Sequence, residues 1–547
     1  MVSGFSSFDS SGMMIRSGRD AVGENGMVST GKYDATKAGL DILKKGGNAI
    51  DAAVAAGFAL GVCEPNASGL GGGGFMTLRL GGTGKSTFID FREIAPKLAS
   101  PEMWEIDDNE EVLDNENLFG GKAVGVPGEV AGLIYALLHY GTMSLEEVME
   151  PAIKIAFDGY IVTPQLSYDI GSCRKELLRY GTGAAIYLKG NRPYKAGDII
   201  RNPELAVTLS KIAKGGKEVF YKGEIAERII NSVKSANGVM TMEDLAGYEV
   251  REREPVKGSY RGYEIISSPA PSSGGTHIIQ ILNMLENFNI ADMEVNSPDY
   301  IHLFSEIFKL CYQDKAEYMG DKDFVPIPSG GLLSKEYARK QAAIIDMKRA
   351  SVYAGCDPWL YEHGDTTHYS IADKDGNMVA VTKTLDHFFG SCVAVQGTGI
   401  VLNNQMSDFH PGAGKPNSIE PGKKPLSSMS PTLLLKGGRP FMILGSPGGE
   451  KIISTVSQVI SKVIDHSFEL QAAVESPRIS DNTENRILFE SRISEQVMDK
   501  LRAMGHETLK LNEWDRQMGA VQAVGFGSSG MMLGAADPRR DGKALGF

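Results

Sequence analysis

Two periodicities divide the 547-residue chain. From Asp34 to Lys45 apolar residues recur at Ala38, Leu40, Ile42 and Leu43, and Gly46-Gly47 follows as a stop, which predicts a helix. A second helix starts at Asn48 and is apolar on nearly every side through IDAAVAAGFALGV, so it belongs in the interior. Helical spacing returns over 129–157, 203–236 and 296–318, and again from Glu450 to Ile464. Alternation of period two marks FMTLRL and STFIDF on either side of Gly81–Thr87, then 253–267, Ser391–Gln405 and Pro440–Leu444. It is clearest from Ile371 to Thr384, where Asp375-Gly376-Asn377 supplies the turn of a β-hairpin. Residues 1 to about 26, rich in Gly and Ser, are expected at the surface. Residues 346–365 read as a loose, exposed connection with Gly355, Pro358 and Gly364 as breakers.

Composition narrows the class. A hydrophobic fraction of 42% with 23% charged residues is that of a soluble globular protein. The formal charge of −12 argues against nucleic acid or an anionic membrane surface as partner. Ala52–Cys63, the longest apolar stretch, is too short to span a bilayer. The first twenty residues contain no apolar core of signal-peptide length, so the expectation is a cytoplasmic protein. The five cysteines are scattered without a C-x-x-C spacing, which fits a reducing compartment and offers no metal site. No cofactor motif is found: Gly81–Thr87 has Arg79 where a phosphate-binding loop needs glycine, and a strand follows it.

Candidate chemistry begins at the hairpin's leading edge, in Gly364-Asp365-Thr366-Thr367-His368-Tyr369-Ser370. Taken alone, Thr366-Thr367 is most simply β-propensity at a strand start. A threonine hydroxyl becomes a useful nucleophile only beside a base. Cutting the bond before Thr366 would supply one, since an α-amine has a pKa of about 7.7–8.0. Arg92, at the end of the predicted strand STFIDF, is either a surface charge or a bidentate clamp for a carboxylate. Gly448-Gly449 precedes a predicted helix, where unpaired N–H groups face outward; it is a structural turn or an oxyanion hole. Gly71–Gly74 is a flexible loop or a place of close backbone approach.

Several long motifs in order then resemble one family, the γ-glutamyltranspeptidases (glutathione hydrolases) of the N-terminal-nucleophile hydrolase superfamily. They are KKGGNAIDAAVAAG (44–57), EPNASGLGGGGF (64–75), DFREIAP (90–96), DTTHYS (365–370), LNNQMSDF (402–409), PLSSMSPT (425–432), GSPGG (445–449) and GAADPRRDG (534–542). The resemblance implies an α/β (α+β) fold, a four-layer αββα sandwich. It also implies self-cleavage between Asp365 and Thr366 into a large subunit, 1–365, and a small subunit, 366–547, that interleave as one unit. By motif, Thr366 matches the nucleophile and Thr384 the threonine that hydrogen-bonds it. Arg92, Ser427 and Ser428 match the groups that hold the substrate α-carboxylate, Gln405 and Asp408 those that hold its α-ammonium. Gly448 and Gly449 match the oxyanion hole.

The implied reaction is acyl transfer from a γ-glutamyl amide through a threonine ester to water, an amino acid or a peptide, without metal or cofactor. Alternatives of the same mechanism are a glutaryl or cephalosporin-type acylase and a hydrolase of a small amide such as oxamate. A non-enzymatic, uncleaved homologue is the reading from another class. Asp386 stands where the family usually has an asparagine that helps grip the glutamyl head. Two residues beyond Thr384, it is expected on the same strand face, where with Asp408 it forms a pair of close carboxylates that raises one pKa. Glu450-Lys451 replaces the usual Ser-Arg after the glycines, and loop 410–424 is short and has no aromatic residue.

Overall fold

A computed structural model describes residues 18–108, 111–180, 182–353, 365–481, 485–527 and 530–547, with two short strands, Ser7–Phe8 and Met14–Ile15. Most of the predicted connection to the expected cut site, and half of the N-terminal segment, lie outside the described residues.

Two seven-stranded sheets form the centre. The first runs Arg251–Arg253, Ser86–Phe91, Gly73–Arg79, Met378–Asp386, Asp365–Asp373, Gly26–Thr30 and Lys543–Gly546. The second runs Val256–Tyr260, Tyr263–Ser267, Thr432–Lys436, Arg439–Gly445, Gln522–Phe526, Met532–Ala536 and Ala21–Gly23. Both sheets take strands from either side of residue 365, so the stretches before and after it are woven together. Three apolar clusters show the layering. One joins the first sheet to helices such as Ala49–Cys63 and Glu129–Tyr140, and another joins the second sheet to Gly274–Leu285, Pro298–Tyr318 and Lys451–Ile464. Between the sheets lie Met27, Ile266, Ala372, Met378, Ala380, Leu433, Leu435, Ile443 and Val524. The order helix, sheet, sheet, helix is the four-layer αββα sandwich.

Local chemistry explains the elements that place the site. Asn48 caps the buried helix Ala49–Cys63, accepting from the N–H groups of Ile50 and Asp51. Every residue of that helix is buried, as its uniform apolarity predicts. It packs under the hairpin Asp365–Asp373/Met378–Asp386. The glycine run resolves as close approach: a Cβ on Gly72 would lie 2.1 Å from the Thr384 carbonyl oxygen, and one on Gly74 2.5 Å from that of Thr382. Gly73–Arg79 can therefore pair along Met378–Asp386 with its start pressed against the hairpin.

Two expectations need correction and one is refined. Ser391–Gln405 is not a strand; Gly390, Gly397 and Gly399 take positive φ and curl it into turns, with isolated bridges at Ala394–Val401 and Gly71–Leu402. Its alternating Val393, Val395, Ile400 and Leu402 are buried in the core all the same. The segment 203–236 is helical as expected, divided into Pro203–Gly215, Lys217–Tyr221 and Glu224–Ser235, with breaks where Gly216 has φ 66° and again at Gly223. Asp386 is not extended: its φ is 81°, and the pairing slips between Asp365 and Thr366 opposite it.

Candidate active site

The hairpin of Asp365–Asp373 and Met378–Asp386 has two faces. Register pairs Thr366 with Thr384, His368 with Thr382, and Ser370 with Ala380. These side chains alternate with Thr367, Tyr369, Val381 and Lys383, so they share the face towards the second sheet. Apolar at Ala372 and Met378, that face turns polar towards its end. Ser370 Oγ donates to the Gln522 carbonyl (2.9 Å), and the His368 ring lies 2.8 Å from Thr382 Oγ1 and 3.1 Å from Ser370 Oγ. Burial lowers the His368 pKa to about 3, so the ring is neutral. At the end, Thr366 Oγ1 donates to Thr384 Oγ1 (3.3 Å), which also accepts from the Asp386 N–H (2.7 Å).

Thr366 and Thr384 open on a cavity whose lining also includes Arg92, Asp386, Gln405, Asp408, Ser427, Ser428 and Gly449. All but one of the residues singled out as catalytic or substrate-binding therefore line one cavity; Gly448 lies immediately behind Gly449. These two have φ of 130° and 56° and lead into Lys451–Ile464, whose first turn they begin: Lys451 N–H bonds the Gly448 carbonyl (3.1 Å) and Ile452 N–H that of Gly449 (3.2 Å). Among the described residues, neither glycine N–H has an acceptor. Of the expected cleavage pair, Asp365 is the first residue of the strand Asp365–Asp373.

Arg92 is neither a surface charge nor an empty clamp. It is 1% exposed, and its guanidinium pairs with the Asp408 carboxylate while donating to the carbonyls of Pro425 (3.3 Å) and Leu426 (3.1 Å). Gln405 Nε2 donates to the same Asp408 oxygen at 2.5 Å. Behind them, burial pushes the Glu93 carboxyl up to about 8, with the Arg92 charge opposing the shift.

Asp386 reaches the cavity through its turn rather than along a pleat. Ser407 Oγ donates to its carboxylate at 2.5 Å, and His387 Nε2 stands 3.7 Å away. Burial first, then the charge of Asp408, raises its pKa well above the ordinary carboxylate value. The expected carboxylate pair is therefore present, built differently from the way the strand pattern suggested.

Sequence reasoning missed four contributors. Asn417, from loop 410–424, lines the cavity; its side chain donates to the Asp408 carbonyl (2.6 Å) and accepts from the Leu426 N–H (2.9 Å). Lys315 and Glu450 line the same cavity as a buried ion pair. Arg540, within the quoted motif GAADPRRDG, holds the Thr366 carbonyl at 2.7 Å. Only Glu450 carried a signal, as a departure from Ser-Arg after the glycines. Lys315 reads as an ordinary polar helix residue.

Away from this cavity, His302, Glu306 and His506 bring ligand atoms within 4.8 Å of one another. Glu306 is already taken by Lys309, the Ser351 N–H and the Tyr353 hydroxyl, and His302 bonds both His506 (2.7 Å) and the Asp346 carbonyl (2.9 Å). The cluster ties down 346–353, which leads towards the expected cut site.

The γ-glutamyltranspeptidase family model matches residues 35–547, with every site residue above inside the match. The chain belongs to the γ-glutamyltranspeptidase family. It is 43% identical over 531 residues to the glutathione hydrolase proenzyme of Escherichia coli K12, covering 94% of this chain and 90% of that protein. It is 40% identical to the acylase ACY 1 proenzyme of Pseudomonas sp. SE83, covering 96% and 94%. The crystal structure of a cephalosporin acylase from Bacillus halodurans superposes with a TM-score of 0.88 at 28% identity, over 96% of this chain and 97% of that one. The family is one of enzymes, and no helix of the described residues is long and apolar enough to cross a membrane.

Proposed function

We propose that this γ-glutamyltranspeptidase-family enzyme cuts itself between Asp365 and Thr366 and then breaks γ-glutamyl amide bonds. The observation that carries the reading is Thr366 heading a strand, its hydroxyl 3.3 Å from Thr384, in a cavity whose other wall is the Arg92–Asp408 pair. The backbone is already irregular at the proposed cut, where the register slips. Cleavage frees the Thr366 α-amine as a base attached to its own nucleophile. Thr366 Oγ1 attacks the γ-carbonyl carbon, and the amine takes the hydroxyl proton. The N–H groups of Gly448 and Gly449 take up the developing oxyanion, a contribution of about 2.7–4 kcal/mol for each such donor. The C–N bond breaks, the amine returns its proton to the leaving nitrogen, and an ester remains on Thr366. Water, an amino acid or a peptide then attacks that ester, with the same amine moving the proton.

The glutamyl head fits because it is a zwitterion. Arg92 and Asp408 pair with each other directly, and a bound head replaces that contact, giving its α-carboxylate to Arg92, Ser427 and Ser428. Its α-ammonium goes to Asp408, Gln405 and Asp386. An acyl group without the amine leaves Asp408 and Asp386 without a cation, which a buried site resists. Likeness to the cephalosporin acylase and to ACY 1 supports a glutaryl-type acylase as the second reading. Four cysteines, Cys63, Cys173, Cys311 and Cys392, are buried free thiols, which supports a reducing, cytoplasmic setting.

The test is direct. Purified protein is expected to run as two pieces, the smaller beginning at Thr366, and to hydrolyse γ-glutamyl-p-nitroanilide faster than glutaryl-p-nitroanilide or oxamate. Thr366→Ala is expected as one 58.9 kDa chain without activity, while Thr367→Ala, on the opposite face, still yields two. A small piece starting anywhere else removes Thr366 from its role, and glutaryl preference moves the protein to the acylases.

A further inference from the structure

Three consecutive charges near the end of the chain, Arg539, Arg540 and Asp541, take different partners. Arg539 is sealed in a network with Asp537 (3.1 Å) and Glu490 (2.6 Å). Asp541 pairs with Lys32 and accepts from Thr163 Oγ1 at 2.7 Å. Between these fixed neighbours, Arg540 reaches the head of the hairpin, where its Nη1 donates to the Thr366 carbonyl at 2.7 Å. Register explains how the contact arises. The strand Asp365–Asp373 pairs with Gly26–Thr30 from Asp373 as far as Tyr369, which lies opposite Thr30, and Lys543 lies opposite Thr30 on the other side. Thr366 therefore overhangs the neighbouring strand, and the chain arriving at Lys543 brings Arg540 to the overhang. The Arg540 side chain is 10% exposed there, with Glu64 Oε1 4.0 Å from the same Nη1.

Position decides what this guanidinium does. Once released, the Thr366 α-amine is bonded to the same Cα as the carbonyl that Arg540 holds. An unperturbed α-amine, at about 7.7–8.0, is mostly protonated at neutral pH, and a fixed positive charge so near disfavours that ammonium form. Other charges surround the site. Lys32, paired with Asp541, also feels Glu64. The cavity side carries Arg92 with Asp408 and Glu93, then Asp386, then Lys315 with Glu450. Lys383 and Glu129 pair on the opposite face of the hairpin, and His368 is neutral. Of these groups, the carboxylates of Glu64, Asp386 and Asp408 favour the ammonium. Arg540 works against them, in contact with the residue that bears the amine.

We propose that Arg540 is a positioning residue for the base: it holds the Thr366 α-amine unprotonated at neutral pH, ready to take the hydroxyl proton. The inference rests on the self-cleavage reading above, which releases that amine, and it adds the residue that sets the amine's charge. The ammonium gives its proton to solvent, and no bond to Arg540 forms or breaks. Arg540 acts through the amine, and the proton and acyl transfers remain as described.

Two measurements on the cleaved protein test it. Competitive labelling of the small piece's N-terminal amine with acetic anhydride over a pH series, read by mass spectrometry, titrates Thr366 directly. The acid limb of kcat/KM for γ-glutamyl-p-nitroanilide follows the same group in the free enzyme. Arg540→Met is expected to raise both midpoints by roughly one pH unit. Its kcat/KM then falls about tenfold at pH 6 and little at pH 9. Glu64→Gln is expected to move both midpoints the other way, because it removes the carboxylate beside the guanidinium. A loss by the same factor at every pH, with the midpoints unmoved, makes Arg540 a structural support and overturns the proposal. Should Arg540→Met remain one chain, Glu64→Gln decides, and an amine that titrates there as in wild type overturns it. Wild type that is never cut fails the self-cleavage reading instead. Cleaved wild type without turnover fails the glutamyl reading, and the labelling still tests Arg540.

Discussion

The two faces of the hairpin Asp365–Asp373/Met378–Asp386 carry opposite solutions to the same problem, polar groups in a protein interior. Towards the helices, the apolar row of Tyr369, Ile371, Val379, Val381 and Leu385 is interrupted by one charge, Lys383. It pairs with Glu129 at 2.6 Å, donates to the Gly57 carbonyl at 2.8 Å, and both side chains are 0% exposed. Towards the second sheet, polarity rises rung by rung and ends at Thr366, Thr384 and a cavity where Arg92 meets a partly accessible Asp408. Both ion pairs are buried, but only one has room for a third party. Charge next to Thr366 therefore says little about function until access is known. A sealed pair holds the strand, and an accessible one can exchange partners.

The largest expected effect breaks the sealed side. Lys383→Met leaves Glu129 buried without its cation, in a site where burial already raises its pKa. Removing one partner of such a pair costs about 3–5 kcal/mol, to be read as a shift in the urea unfolding midpoint. The double variant Lys383→Met/Glu129→Leu is expected to recover much of that loss. If it recovers none, the pair does more than hold the strand.

On the accessible side the cost falls on catalysis. Arg92→Ala in the cleaved protein is expected to lower kcat/KM for γ-glutamyl-p-nitroanilide by about 1.5–3 kcal/mol, the loss of a hydrogen bond to a charged group, with most of it in KM. An unchanged kcat/KM would show that Arg92 only neutralises Asp408 and Glu93.

The rung between the two is a pH effect. His368 has an ordinary value of 6.5 when unfolded and about 3 when folded, so between those limits the unfolded chain binds a proton that the folded one does not. Stability is therefore expected to fall as pH drops from 6.5 towards 3, by up to about 1.4 kcal/mol per pH unit for this one group, and to be unaffected by it above 6.5. His277, lowered to about 4, and His506, lowered to about 3, add to the same window. Comparing unfolding midpoints of wild type and His368→Gln from pH 4 to 7 isolates its share, and parallel curves would assign the acid sensitivity to the other two.

Much of this was legible in the sequence because it is local. Asn48 followed by an all-apolar run gave the buried helix, Asp375-Gly376-Asn377 the hairpin, and long motifs the residues that meet at the cavity. What was not legible depends on distance. Lys315 lies far along the chain from Glu450, and nothing in its helix marks it as paired. Ser391–Gln405 has a strand's alternation, but its glycines turn it, and burial of alternate residues survives without a ladder. Asn417 sits in a Gly- and Pro-rich loop that looks like a surface connection and instead closes one wall.

Asp386 is where pattern and structure part company most usefully, and the smallest expected effect tests it. Strand alternation put its carboxylate beside Thr384; a positive φ at the strand end puts it there by another path, facing Asp408, with Arg92, Glu93 and His387 around it. Burial and the Asp408 charge raise its pKa, while the bond from Ser407 and the Arg92 charge act the other way. On the proposed reading, an α-ammonium placed between the two carboxylates would favour the charged form of Asp386. Its preference for an amine-bearing head should thus grow with pH. For Asp386→Asn we expect the ratio of kcat/KM for γ-glutamyl- over glutaryl-p-nitroanilide to match wild type closely at pH 6. At pH 8.5, where a proton is released more easily, it should fall severalfold below wild type, because the neutral amide has no charge to offer. A ratio identical in both proteins at both pH values would confine Asp386 to its bond with Ser407 and leave amine recognition to Asp408 and Gln405.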